Sequence, residues 1–194
     1  MKPNAPPATA YTIPTVLFPD GTYTMDSLSI LDEINTRYPE PPLSVKNRYF
    51  DWFTLNYGEL MTRFKGIYLP TVPRTLLSEK SIPYWNQTRQ AANGGMDLAT
   101  LEREIGGEKG WELVRPLLKE ITALLEENAE EGPFFEGEKV GYVDFWWGGF
   151  LLVCKRMGNG IWERLLQECG SEKGAERHVL LLKGLEKWSE RCDY

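Results

Sequence analysis

The chain has few of the residues that build metal and redox centres. Its 194 residues include one histidine and three cysteines. Cys154, Cys169 and Cys192 follow no metal-site or redox spacing, and no cluster of histidine, cysteine and carboxylate side chains indicates zinc. His178 lies in an amphipathic helical pattern, which favours a surface position over a role as general base or metal ligand. We therefore predict no metal site, and free cysteines in a reduced, cytoplasmic setting.

Long apolar runs, an excess of positive charge and nucleotide motifs are also missing. No apolar segment approaches the roughly 20 residues of a membrane-spanning helix, and the first residues lack the apolar core of a signal peptide. The net charge of −6 argues against nucleic acid or an anionic membrane as a partner. The sequence has neither a glycine-rich phosphate loop nor a nucleophile elbow.

The residues that are present predict two regions with a substantial core. Hydrophobic residues make up 42% of the chain and aromatic residues 12%. Residues 1–43 hold most of the prolines and all the convincing strand signals, whereas the pattern from Ser44 onward is helical. We therefore expect a small α/β region over residues 1–43 and an all-helical domain over residues 44–194.

The first region reads as strand, tight turn, strand and helix. Strands are predicted over residues 15–18 and 22–25, on either side of the hairpin signal Asp20–Gly21. A helix is predicted from Ser27 to about Tyr38, where prolines stop it. The exposed edge of the first strand favours pairing with a second copy, so we expect a homodimer.

The second region reads as a set of amphipathic and buried helices. Ser44 is predicted to cap a long helix that the prolines at 70 and 73 break. Pro116 must sit in the first turn of a later helix or kink it. The segment 142–157 is apolar nearly all round, which is typical of a helix buried in a bundle. Further helices are predicted over residues 84–92, 97–105, 111–125, 162–168 and 175–191.

Two motifs resemble glutathione transferases, and they occur in the order of that family. Ile13-Pro14 before the hairpin, with Asp26-Ser27 at the helix start, resembles the second half of the family's thioredoxin-like domain. Residues 134–145 resemble the start of its central C-terminal helix, with Gly141 at the usual Ser/Thr cap and Asp144 as the acidic partner. The resemblance implies a mostly α fold, in which a truncated thioredoxin-like fragment (β-hairpin plus helix) docks on an all-helical C-terminal domain.

The resemblance also implies a glutathione site. The Ile13–Pro14 peptide would be cis, and the backbone of Ile13 would pair with the cysteinyl unit of glutathione. Ser27 would bind the γ-glutamyl carboxylate through its hydroxyl and N–H, and Asp26 would face the ammonium group. The residues alone leave simpler alternatives open, namely a trans proline at a strand start and ordinary helix capping.

The catalytic residue has no counterpart in this sequence. In the family, a Tyr, Ser or Cys just after the first strand stabilises the glutathione thiolate. Only 13 residues precede Pro14, so no residue can be matched to it. One alternative is that Met1 is an incorrectly assigned start.

The resemblance implies a hydrophobic substrate pocket on the long helix. The family's corresponding helix lines the pocket for the apolar co-substrate. The alternative is that this aromatic stripe is mostly core. The candidate pocket residues are Phe53, Tyr57, Met61, Arg63 and Phe64.

The resemblance therefore predicts a glutathione S-transferase-like enzyme. It would use the glutathione thiolate on a small apolar electrophile, by conjugation or by addition and elimination that isomerises a double bond. The chain is similar to shortened transferase-like proteins of fungal biosynthetic pathways. The alternative is a non-catalytic interaction or regulatory module with the same fold.

Overall fold

The computed structural model describes residue 3 and residues 10–189, and the chain divides into two compact units. Unit 1 is Met1–Ser44 and unit 2 is Val45–Tyr194. The described part of unit 1 contains strands β1 (Thr15–Leu17) and β2 (Tyr23–Met25) and helix α1 (Ser27–Arg37). The described part of unit 2 is helical, which confirms the predicted mostly α fold. Its helices are α2 (Arg48–Thr75), α3 (Ile82–Ala92), α4 (Leu98–Ile105), α5 (Gly107–Glu126), α6 (Tyr142–Met157), α7 (Ile161–Glu168), α8 (Glu172–Gly184) and α9 (Glu186–Ser189).

The hairpin of unit 1 is an antiparallel pair closed by a tight turn. Thr15 pairs with Met25 and Leu17 with Tyr23. The amide of Gly21, which has a φ of 83°, donates to the carbonyl of Phe18 at 2.9 Å. A positive φ suits glycine because it lacks a Cβ. The Asp20–Gly21 signal therefore marked the turn correctly.

Arg37 joins α1 to this turn. Its Nη1 donates to Asp20 Oδ2 at 2.7 Å, and its guanidinium lies 4.4 Å from the centre of the Phe18 ring. Hydrogen bonds from Thr22, and then from Arg37, hold the pKa of the Asp20 carboxyl far below its usual range. In the described part of unit 1, only three large hydrophobic side chains are buried, namely Phe18, Ile30 and Leu31. Unit 1 therefore has a small core of its own.

Helix α2 differs from its prediction at both ends. It begins after Asn47, whose Oδ1 accepts from the amide of Phe50 at 2.9 Å, and not after Ser44. It also continues through Pro70 and Pro73 to Thr75 instead of breaking. Since Pro73 has no N–H for the carbonyl of Leu69, that oxygen is free for another donor. The indole N–H of Trp85 in α3 donates to it at 3.0 Å.

The core of unit 2 forms where α2, α5, α6 and α8 pack together. The ring of Trp147 stacks on Phe150 with centroids 4.8 Å apart, and Phe53 meets Trp147 edge-on at 5.9 Å. Helix α6 has the predicted bounds. The core side chains with the least exposure include Phe53, Leu60, Phe64, Val114, Leu118, Ile121, Trp147, Leu151, Cys154 and Leu181.

The start of α6 is fixed by one buried carboxylate. Asp144 accepts from the amide of Gly141 at 2.7 Å and from the amide of Phe135 at 2.9 Å. Gly141 has no side chain to return the bond, so only one half of a capping box is present. Burial raises the pKa of Asp144 to about 6. The predicted pairing of Gly141 with Asp144 is confirmed.

His178 is buried, which corrects the prediction of a surface position. Its Nδ1 accepts from the indole N–H of Trp147 at 2.9 Å. Its Nε2 lies 2.9 Å from Thr122 Oγ1, and that hydroxyl donates to the carbonyl of Leu118. The proton must therefore be on Nε2, and the ring is neutral with both nitrogens bonded. Burial, with a smaller effect from Arg177, lowers the pKa of His178 to about 4.

The remaining helices depart from prediction mainly at their boundaries. Helix α5 begins at Gly107, so Pro116 lies well inside it. The last predicted helix is divided at Leu185 into α8 and α9, and its predicted end at residue 191 lies outside the described residues. Within the part of the chain that the structure describes, no helix is both long and apolar enough to cross a membrane.

Helix α2 approaches the turn between α4 and α5 closely. We therefore expect alanine substitution to have opposite effects on stability at two glycines of α2. A Cβ on Gly66 would lie 2.3 Å from the carbonyl oxygen of Ile105, whereas a Cβ on Gly58 would meet nothing within 4 Å. We expect Gly66→Ala to lower the free energy of unfolding by about 1–3 kcal/mol through overpacking. Gly58→Ala, the control, should raise it by up to about 1 kcal/mol because alanine favours helix. Urea denaturation measures both, and equal stability of the two variants would contradict this packing.

The neutral, buried His178 predicts a pH-dependent contribution to stability. Because its pKa is about 4 in the folded chain and ordinarily 6.5, the unfolded state binds more protons between these values. This contribution to the free energy of unfolding is present above pH 6.5 and is lost as the pH falls towards 4. The raised pKa of Asp144 acts in the opposite direction between pH 3.8 and about 6, so the wild-type curve alone mixes the two.

The comparison of wild type with His178→Asn isolates the histidine, since Asp144 is common to both. We expect the variant to be less stable at pH 7, because the bond to Thr122 and part of the packing are lost. The stability gap should narrow by about 2 kcal/mol on going from pH 7 to pH 5. Chemical denaturation at the two pH values measures this, and a constant gap would contradict a buried neutral ring.

Candidate functional site

The residue that precedes α1 has a strained backbone conformation. Asp26 has φ 73° and ψ 127°, a conformation that side-chain-bearing residues rarely adopt and that costs about 1–3 kcal/mol. Its Oδ1 accepts from the amides of Leu28 and Ser29, both at 3.1 Å, and so caps the helix. Such strain is concentrated at functional sites, where it holds the backbone in a fixed direction. Here it turns the chain sharply from β2 into α1.

Ser27 presents two free donors at this helix end. As the first residue of α1, its amide N–H has no partner within the helix. Among the described residues, neither this N–H nor the Ser27 hydroxyl has a hydrogen-bond partner, and the residue is exposed. A helix N-terminus also carries partial positive charge. The arrangement suits an anionic group such as a carboxylate.

Thr12 holds the neighbouring loop to this turn, a role that was not predicted from the sequence. The amide of Asp26 donates to Thr12 Oγ1 at 3.1 Å, and Thr15 Oγ1 donates to the carbonyl of Thr12 at 2.7 Å. These bonds place residues 12–14 beside the start of α1. The partner of Thr12, Asp26, lies 14 residues further along the chain. The only local signal in the sequence is therefore a hydroxyl residue next to Ile13-Pro14.

The Ile13–Pro14 peptide bond is cis, as the resemblance implied. The side chain of Ile13 is 99% exposed, and its backbone N–H and carbonyl have no hydrogen-bond partner among the described residues. Since the strand register begins with Thr15 opposite Met25, Pro14 and Asp26 lie at the same end of the hairpin. The structure thus brings Ile13, Pro14, Asp26 and Ser27 together at one end of unit 1.

The residues predicted for a hydrophobic pocket are not joined in one open site. Phe53 and Phe64 are fully buried in the core of unit 2, which corrects the prediction for these two. Arg63 donates to Glu59 at 2.8 Å and to the carbonyl of Leu113 at 3.3 Å, so its charge is already paired. Tyr57 is half-buried, its ring centroid lies 5.1 Å from that of Trp146, and burial raises its pKa to about 12. Met61 lines an open groove.

The described cysteines are not candidates for the catalytic group. Cys154 and Cys169 are free and buried. Burial raises the pKa of both thiols, that of Cys169 to about 11. Neither thiol therefore ionises appreciably at neutral pH, and a thiolate is the reactive form. The catalytic residue stays unassigned.

Comparison with known proteins points to one family. The family model described as "Glutathione S-transferase, C-terminal domain" matches residues 52–172. A curated relative, the "Glutathione S-transferase-like protein ustS" of Aspergillus flavus, is 28% identical over 189 residues. The match covers 87% of this chain and 66% of the relative, so the chain spans slightly less than two thirds of that protein's length.

Solved structures share the fold. The glutathione S-transferase CsGST63524 of Ceriporiopsis subvermispora, crystallised in complex with glutathione, has a TM-score of 0.68 and 21% identity. That match covers 100% of this chain and 78% of the other. Glutathione transferase GSTFuA2 from Phanerochaete chrysosporium has a TM-score of 0.72 and 22% identity, over 99% of this chain and 77% of the other. Because the family model spans more than half of the chain, this protein belongs to the glutathione S-transferase C-terminal domain family.

Proposed function

We propose that this chain is a glutathione S-transferase-like enzyme that binds glutathione at the N-terminus of α1. The observation that carries the proposal is the pair of unpartnered donors of Ser27, held at the strained Asp26 turn beside the cis Ile13–Pro14 bond. The family membership and the solved relative that binds glutathione support it.

The proposed binding mode uses each free polar group of this end of unit 1. The γ-glutamyl carboxylate accepts from the N–H and hydroxyl of Ser27. Asp26 Oδ1 is occupied in capping, whereas its Oδ2 has no hydrogen-bond partner among the described residues, so this oxygen accepts from the glutathione ammonium group. The free N–H and carbonyl of Ile13 pair with the cysteinyl unit as a short added strand. Thr12 fixes the loop that presents them.

The proposed chemistry is attack of the glutathione thiolate on a small apolar electrophile with an activated double bond. In conjugation, the sulfur–carbon bond that forms is kept and the neighbouring carbon takes a proton. In isomerisation, the same bond forms and breaks, and rotation between the two steps changes the geometry of the double bond. Tyr57, Met61 and Arg63 are the α2 residues that we propose near this substrate, with Phe53 and Phe64 behind them in the core. We further propose that the reaction takes place in the cytoplasm and belongs to fungal secondary metabolism. The organisms of the similar proteins support only the fungal part of this proposal.

A second candidate function is a non-catalytic binding module. It is favoured by the lack of an assignable catalytic hydroxyl or thiol among the described residues. The two candidate functions differ in turnover of an activated alkene such as benzylideneacetone. An enzyme either conjugates the alkene to glutathione or isomerises the alkene. A binding module does neither at a rate above that measured in buffer alone.

Calorimetric titration with glutathione tests the proposed site. We expect saturable binding to wild type and about tenfold weaker binding to Ser27→Ala, because a hydrogen bond to a charged carboxylate is lost. Ser29→Ala is the matched control: it lies in the same turn, but its hydroxyl already donates to Asp26 Oδ1. It should bind like wild type. No heat at millimolar glutathione, or equal loss in both variants, would contradict the site.

The exposed hairpin leads us to propose a homodimer. Leu17 and Tyr23 face each other across the strands and are 56% and 51% exposed, and β1 pairs only with β2 among the described residues. An unpaired strand edge with apolar side chains favours association. Light scattering on a sizing column at micromolar concentration should give the mass of a dimer, and Leu17→Lys should shift it towards the monomer. A wild-type monomer would contradict the proposal.

A further inference from the structure

A groove between α6 and α8 lies entirely within unit 2. Its volume is about 250 Å³. Helix α7 and the short helix α9 also contribute side chains to it. The lining includes Leu152, Lys155, Trp162, Val179, Lys183 and Glu186.

The apolar side chains of the groove remain in contact with solvent. Val179 is 44% exposed, and Leu152 and Trp162 are half-buried. These three side chains come from three different helices. Next to them in the sequence, Val153 and Leu180 add exposed apolar surface on α6 and α8. Apolar side chains that gather on a surface in this way are typical of an interaction site.

Two lysines bring positive charge to the groove. Lys155 lies on α6 and Lys183 on α8, and both are exposed. Neither pairs with a carboxylate among the described residues, whereas Arg164 of α7 is paired with Glu168 at 2.6 Å. Among the described lining residues only Glu186 is acidic. The groove is therefore positive in a chain whose net charge is −6, and complementary charge favours a partner with carboxylates.

The size and charge of the groove distinguish between possible occupants. Its volume of about 250 Å³ lies below the range of about 300–1,000 Å³ of pockets that enclose a drug-sized molecule. Anionic membranes are typically bound by clusters of about 4–8 lysines and arginines, and this groove has two lysines and a glutamate. A protein segment that combines apolar and acidic side chains fits both the size and the charge.

We propose that this groove binds an acidic amphipathic helix of a partner protein. Apolar side chains on one face of the partner helix pack against Leu152, Trp162 and Val179, in the helix-in-groove mode of recognition. Carboxylates beside that face pair with Lys155 and Lys183. The inference goes beyond the proposed function, because this contact needs neither glutathione nor turnover and uses residues of unit 2 alone.

Fluorescence anisotropy with labelled peptides tests the groove. The probe is a peptide of about 15 residues, in which leucine and glutamate follow the pattern of an amphipathic helix. One matched peptide has glutamine in place of every glutamate, and another has alanine in place of every leucine. We expect saturable binding of the leucine–glutamate peptide to wild type. Binding should be about fivefold weaker for the glutamine peptide and at least about tenfold weaker for the alanine peptide.

Substitutions at exposed positions assign the contacts. Lys155→Gln and Lys183→Gln should each weaken binding of the leucine–glutamate peptide by about two- to fivefold and leave the glutamine peptide unchanged. Glu186→Gln should strengthen binding of the leucine–glutamate peptide by about twofold, because it removes a repulsion. Val179→Glu should weaken binding of both peptides, because its carboxylate would be buried by the partner. Lys109→Gln, which removes an exposed charge outside the groove, is the control and should change neither.

Three results with the peptides would overturn the proposal. They are no binding of the leucine–glutamate peptide at millimolar protein, equal affinity for the glutamate and glutamine peptides, and both lysine variants behaving like Lys109→Gln. Two further results would overturn it by assigning the groove to another occupant. Vesicle binding that the two lysine substitutions weaken, without peptide binding, would assign it to an anionic membrane. Loss of a dimer in Val179→Glu, measured by light scattering, would assign it to a second copy of this chain.

Discussion

The buried face of α2 is the constraint on which unit 2 depends. Phe53 and Leu60 have no exposed surface and Phe64 has 1%, so α4, α5 and α6 must each fit against one rigid stripe. At Gly66 the fit is so close that no Cβ can be accommodated without movement. Helix α2 also carries Pro73, whose missing N–H leaves the carbonyl of Leu69 free to accept from Trp85 of α3. This bond ties α3 to α2.

In unit 1, hydrogen bonds must offset backbone strain. The described part of this unit buries only a few side chains, yet it contains a strained residue at Asp26. Three groups offset the strain at Asp26. The Asp26 carboxylate caps α1, and Thr12 accepts from the amide of Asp26. Arg37 ties the far end of α1 to the hairpin turn. The result is a helix end at which the Ser27 donors have no hydrogen-bond partner among the described residues. This is the physical basis of the proposed glutathione site.

The sequence was most informative where a signal is local. The Asp20–Gly21 turn, the Asp26 cap, the Gly141–Asp144 pair and the bounds of α6 depend on neighbours a few residues apart, and these were predicted. The failures depend on distant partners. The predicted break at Pro70 and Pro73 did not take into account that Trp85 bonds to the carbonyl of Leu69, 16 residues earlier in the chain. The predicted surface position of His178 did not take into account its bonds with Trp147 and Thr122. Phe53 and Phe64 lie on the same stripe as Met61, and periodicity alone cannot separate a pocket from a core.

Amide NMR on isotope-labelled protein can show whether the start of α1 holds the γ-glutamyl carboxylate of glutathione. We expect saturable shifts of the Ser27 and Ile13 amide protons on titration with glutathione, with Ser27 moving downfield as it gains a charged acceptor. Titration with a glutathione analogue that lacks the γ-glutamyl carboxylate should leave Ser27 in place. Saturable shifts confined to unit 2, or no shifts at millimolar glutathione, would rule out this glutathione site.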